Sequence, residues 1–171
     1  MASTYTPIYT TTLASAQSSI TLNSFSGYTD LKIVFNGKVT TAAGTKLQFN
    51  GDTATNYSLT YLMGNGTTVS SGRSSNINWI GTALASGDSI VANVYTPHQI
   101  NIFNYANTTT YKTALWRFDI VAQGYLGAGE TDTIVGLWRS TAAITSISLF
   151  PDNSTTYAIG TSVSLYGILA A

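Results

Sequence analysis

The residues able to do chemistry in this chain are few and scattered. Of 171 residues, seven are Lys or Arg and seven are Asp or Glu, with one histidine and no cysteine. Thiol nucleophiles and cysteine-built zinc sites are therefore excluded. The histidine, His98, sits in Tyr95-Thr96-Pro97-His98-Gln99 and is expected on a loop between two strands, solvated or bracing a turn. A Ser-His-Asp arrangement needs a nucleophile on a strained turn, and no G-x-S-x-G elbow occurs. Glu130 and Asp132 follow Gly127-Ala128-Gly129, which reads as a glycine-rich loop with solvent-facing acids. A glycosidase must hold its two carboxyls about 5 to 9.5 Å apart, and a loop pair has nothing to fix that distance. Asn50, Asp52 and Asn56 alternate oxygens along a turn, yet one carboxylate is a poor cage for calcium, which takes about six to eight oxygens. Gly64-Asn65-Gly66 is followed by no G-K-[ST] and reads as a hairpin, not a phosphate loop. No catalytic residue, cofactor or metal ligand is expected, and the chain is read as a non-enzyme.

Binding chemistry is better supplied. Three tryptophans and eleven tyrosines offer rings for stacking, while Ser, Thr and Asn offer neutral hydrogen bonds. Trp116 shares the phase of Ala114 and Phe118 and is expected in the core. Trp138 is out of phase with Leu137 and is expected to be exposed or interfacial. With Tyr5 and Tyr9 it forms the set of possible contacts to a partner subunit or a glycan. Asp119 lies on the same strand face as Arg117 and should pair with it. The Asn-x-Ser/Thr matches at Asn56, Asn65, Asn107 and Asn153 are those expected by chance in a chain so rich in these residues.

The elements that position these groups are strands. Apolar residues alternate with period two at Leu31, Ile33 and Phe35; at Leu47 and Phe49; at Tyr57, Leu59, Tyr61 and Met63; and at Ile77 and Trp79. The pattern resumes at Ile90, Ala92 and Val94; at Ile100 and Ile102, with a phase switch at Phe103 and Tyr105; and through Ala114, Trp116, Phe118 and Ile120. It ends with Val135 and Leu137, Ile147 and Leu149, and Val163, Leu165 and Leu169. Turn chemistry separates these runs at Asn36-Gly37, Asn50-Gly51-Asp52, Ser86-Gly87-Asp88 and Pro151-Asp152-Asn153. No helical period appears. The expected fold is all-β, an antiparallel β-sandwich or jelly roll of about ten short strands, with 1–171 as one domain. Residues 1–13, interrupted by Pro7, are expected as an N-terminal edge strand or arm.

A net charge of zero removes the electrostatic attraction on which nucleic-acid binding depends, so no nucleic acid is expected as partner. No stretch approaches the roughly 20 apolar residues of a membrane helix, and Met1-Ala2-Ser3-Thr4-Tyr5 has neither the basic nor the apolar region of a secretory signal. Weak self-repulsion favours self-association.

Several stretches in order resemble small β-rich proteins and domains of tailed bacteriophages, frequent in phages of cyanobacteria. They are Ala2-Ser3-Thr4-Tyr5-Thr6-Pro7-Ile8, Phe49-Asn50-Gly51-Asp52-Thr53, Ser71-Gly72-Arg73-Ser74-Ser75-Asn76, Asn104 through Thr113, Gly136-Leu137-Trp138-Arg139-Ser140-Thr141, and Leu165-Tyr166-Gly167-Ile168. The resemblance implies a virion surface protein with a jelly-roll-like fold and no catalytic residues to carry over. The expectation is a capsid decoration (cement) protein on the phage particle, assembled in the host cytoplasm. Its partners would be further copies, as a homotrimer, and virion proteins such as the major capsid protein. The alternative is a tail-fibre or receptor-binding domain recognising host surface glycans.

Overall fold

The computed structural model describes residues 4–82, 94–120 and 129–169. Among these, twelve strands form two antiparallel sheets and no α-helix occurs. The strands are β1 (Tyr5–Thr12), β2 (Ile20–Asn23), β3 (Asp30–Gly37), β4 (Thr45–Phe49), β5 (Tyr57–Gly64) and β6 (Val69–Ile77). They continue as β7 (Ile80–Gly81), β8 (Thr96–Phe103), β9 (Lys112–Ile120), β10 (Glu130–Trp138), β11 (Ser146–Pro151) and β12 (Ser162–Ile168). The large sheet has the order β1-β12-β3-β8-β9-β10-β5-β6, and the small one β2-β11-β4-β7. The expected β-sandwich is therefore present. The eight-plus-four order does not by itself make a jelly roll, which divides eight strands through two Greek keys.

The core lies between the sheets. The large sheet supplies Leu31, Ile33, Phe35, Ile100, Ile102, Trp116, Phe118 and Ile134 to it, and the small sheet Leu22, Leu47, Phe49, Ile147 and Leu149. Alternation along each strand puts the next residue on the outer face, which is why a period of two is the visible signal. β7 packs across β10 where a side chain on Gly136 would meet Ile80, its Cβ falling 2.5 Å from Ile80 Cγ2.

The structure corrects three expectations. His98 lies within β8, 1% exposed, because Pro97 occupies an outward position and does not end the strand. Glu130 and Asp132 belong to β10 and not to a loop. In β10 the inward residues are Asp132, Ile134, Gly136 and Trp138, so Val135 faces outward at 54% exposure. The strand expected at Ile90 and Ala92 and the turn at Ser86-Gly87-Asp88 lie outside the described residues. β1 is an edge strand paired with β12, with a bulge between Pro7 and Tyr9.

Candidate functional site

His98, Lys112 and Asp132 turn inward. His98 Nδ1 accepts a 3.1 Å hydrogen bond from Trp116 Nε1, and its ring stacks on Phe118 with centroids 5.5 Å apart. A nitrogen engaged this way, beneath a sealed sheet face, is not placed to take a proton from a substrate. Lys112 is likewise buried, its Nζ donating to the carbonyls of Thr110 at 2.8 Å and Thr141 at 3.3 Å, and burial pulls its ammonium below the ordinary lysine range.

Trp138 is not exposed. It is 2% exposed, stacked on Tyr57, and its Nε1 donates to Asp52 Oδ2 at 2.7 Å. The phase argument fails because Gly136 and Asp132, neither of them apolar in appearance, occupy the inward row. Burial acts to raise the Asp52 carboxyl, but hydrogen bonds from Asn56, Trp138 and the Ala54 amide outweigh it and hold the carboxyl below its usual value. Both its oxygens, and the side-chain oxygen of Asn50, are thus engaged by protein donors. Asn50 Oδ1 accepts from the amides of Thr145 and Ser146.

The sequon-like asparagines have a structural use too. Asn65 Oδ1 accepts from the amides and hydroxyls of both Thr67 and Thr68, and Asn107 Oδ1 does the same for Thr109 and Thr110. These are Asx-type loop locks. The neutral composition therefore ties loops with amides and hydroxyls where other proteins use charge.

What faces outward is the outer surface of the large sheet. One row crosses all eight strands: Pro7, Tyr166, Lys32, Asn101, Leu115, Val135, Thr60 and Arg73, each opposite the next. At about 4.8 Å per strand it spans roughly 34 Å. The neighbouring row holds Val34, Gln99, Arg117, Thr133, Leu62 and Ser71. Val34, Leu115, Val135 and Leu62 are 41, 37, 54 and 54% exposed, among hydroxyls and amides. Arg117 meets Asp119 at 3.3 Å on this face, the contact expected from their spacing.

Two depressions mark the face. A shallow groove of about 510 Å³ runs over β5, β6 and β10, with Ser58, Thr60, Arg73, Ser75 and Val135 on its walls. A smaller cradle of about 220 Å³ is formed by Tyr5, Lys32, Val34 and Tyr166, with Lys32 Nζ 5.6 Å from the Tyr5 ring centre. Tyr5 and Tyr9 are half-exposed at 49 and 42%, but the bulge after Pro7 sets Tyr5 opposite Ile168 and Tyr9 opposite Leu165, on different sheet faces. The structure thus brings none of Trp138, Tyr5 and Tyr9 together. Sequence reasoning misses Tyr166, Leu115 and Val135, although the outward phase of Tyr166 and Leu115 follows from their inward neighbours Leu165 and Trp116, and that of Val135 once β10 is correctly registered.

Among the described residues, no three His, Asp or Glu side chains gather as metal ligands, and no helix is long and apolar enough to cross a membrane. No family model, curated protein or solved structure matches the chain.

Proposed function

We propose that this chain is a non-enzymatic structural protein on the surface of a tailed-phage virion, acting as a capsid decoration protein whose activity is contact formation. The observation that carries the reading is the outer face of the large sheet. It is broad and nearly neutral, with Val34, Leu115, Val135 and Leu62 bare among hydroxyls that desolvate at less cost than charges. The occupants are neighbouring virion proteins, the major capsid protein first, and further copies of the chain. The resemblance to phage surface proteins supports the same reading.

A second reading, recognition of host surface glycans from a tail fibre, draws on the Tyr5, Tyr166, Lys32 and Val34 cradle, where rings and an ammonium suit a sugar. Cryo-electron microscopy of the parent particle tests both. Density for this chain on the capsid lattice, with the eight-stranded sheet against a neighbour, is expected. Density confined to the tail tip would overturn the decoration role in favour of the second reading.

A further inference from the structure

The two edges of the large sheet are built differently. On β1 the edge is interrupted. Pro7 removes an amide, and the bulge between Pro7 and Tyr9 breaks the ladder in mid-strand. On β6 there is neither a proline nor a mid-strand bulge. It runs nine residues without proline or lysine, and its irregularity is confined to the far end, where Asn76 has a φ of 56°. That leaves Val69–Ser75 as a regular edge about 23 Å long.

In an antiparallel pair every second residue turns its N–H and C=O away from its partner, so along β6 these groups face outward with no strand beyond them among the described residues. An edge of this length, with small side chains and one charge, is a template for another strand.

The edge is also held in place. Asn65 locks the β5–β6 turn through Thr67 and Thr68, and Arg139 Nη2 grips the other end, donating to Asn76 Oδ1 at 2.9 Å and the Thr55 carbonyl at 2.7 Å. Little ordering is left to be done on pairing. The bare apolar side chains gather here as well. Val69, at 76%, is the most exposed of the large hydrophobic residues described, and Leu62, at 54%, stands opposite Ser71 on the same outer face.

We propose that β6 pairs with β6 of a second copy of this chain, antiparallel about a two-fold axis, joining the two large sheets into one. A second copy is the fitting occupant because an edge meeting itself is the isologous contact that closes at two subunits. A head-to-tail ring, the form a trimer requires, would have to set β6 against a different edge, and β1 is broken at Pro7. The register follows from charge. Arg73 is the one charged residue of β6, so pairings that set Arg73 against its own copy or on the adjacent diagonal are disfavoured, and one centred on Ser71, with Arg73 opposite Val69, keeps the guanidinium groups apart. Val69 and Leu62 then flank the seam.

The proposal goes beyond the virion reading and does not rest on it, since the contact forms wherever the protein is found. Sedimentation velocity of the full chain gives the test. A dimer at micromolar concentration is expected. Ser71→Pro, and separately Val69→Lys with Ser75→Lys, should each weaken it about tenfold or more. Tyr9→Lys on the β1 edge should leave it unchanged, and near-ultraviolet circular dichroism checks that each variant is folded. A monomeric or trimeric wild type, or a dimer that survives the folded lysine variant, would overturn the proposal.

Discussion

The two faces of the eight-stranded sheet divide the labour. Its inner face takes the side chains with most chemical capacity, His98, Asp132, Lys112 and Trp116, and seals them between the sheets. Its outer face carries Val34, Leu115, Val135, threonines and serines beside a few charges, Lys32, Arg73, Arg117 and Asp119. Buried in this way, His98, Lys112 and Asp132 belong to the core, and the outer face is the one that the proposed partners would meet.

Within the inner face the two ends of β10 sharpen the point. At its C-terminal end, Trp138 feeds a hydrogen bond to the half-buried Asp52, which is fully used. Near its N-terminal end, Asp132 is 1% exposed and neither oxygen has a hydrogen-bond partner among the described residues. Burial pushes its carboxyl up to about 7, helped by the charges of Glu130 and Asp119.

The largest expected effect is at the satisfied end. Trp138→Ala should cost about 3 to 5 kcal/mol in urea unfolding, from the lost ring and from the loss of one of the two donors to Asp52 Oδ2. An unchanged midpoint would mean that the inner face is not the structural one.

Next comes pH. Because the Asp132 carboxyl titrates higher in the folded chain than its ordinary value of 3.8, folding favours its protonated form. The favourable state is complete below pH 4 and is lost as pH rises through about 7, each pH unit across that window costing about 1.4 kcal/mol. Wild type should therefore lose stability between pH 5 and pH 8 relative to Asp132→Asn. Parallel pH profiles would contradict the assigned burial of this charge. A smaller effect is expected at the loops. Asn107→Ala should cost about 1 kcal/mol by freeing the Thr109 and Thr110 amides, read as a drop in thermal midpoint.

Much of this architecture is legible in the sequence. The strands with clear apolar alternation, β3, β5 and β9 throughout and β8 and β12 over part of their length, are visible because one face of each is buried. β6 is not, since Ser70, Gly72 and Ser74 carry no apolar signal, and an edge strand half outside the core needs none. β10 is visible but reads one residue out of register, because burial of Asp132 and Gly136 depends on what the other elements place against them. The same slip makes Trp138 look exposed and hides Val135, so the site is obscured for a reason of phase and not of composition. His98 looks like a loop residue because proline, a strong loop signal, can stand on the outward side of a strand.

The most direct test of the proposed contact face is Val135→Lys, which places a charge at the middle of the outer row without touching the core. Its unfolding free energy should match wild type, within about 0.5 kcal/mol. Its occupancy on purified parent particles, counted by quantitative mass spectrometry, should collapse. A folded Val135→Lys protein incorporated at wild-type occupancy would contradict the assignment of the outer face as the working surface.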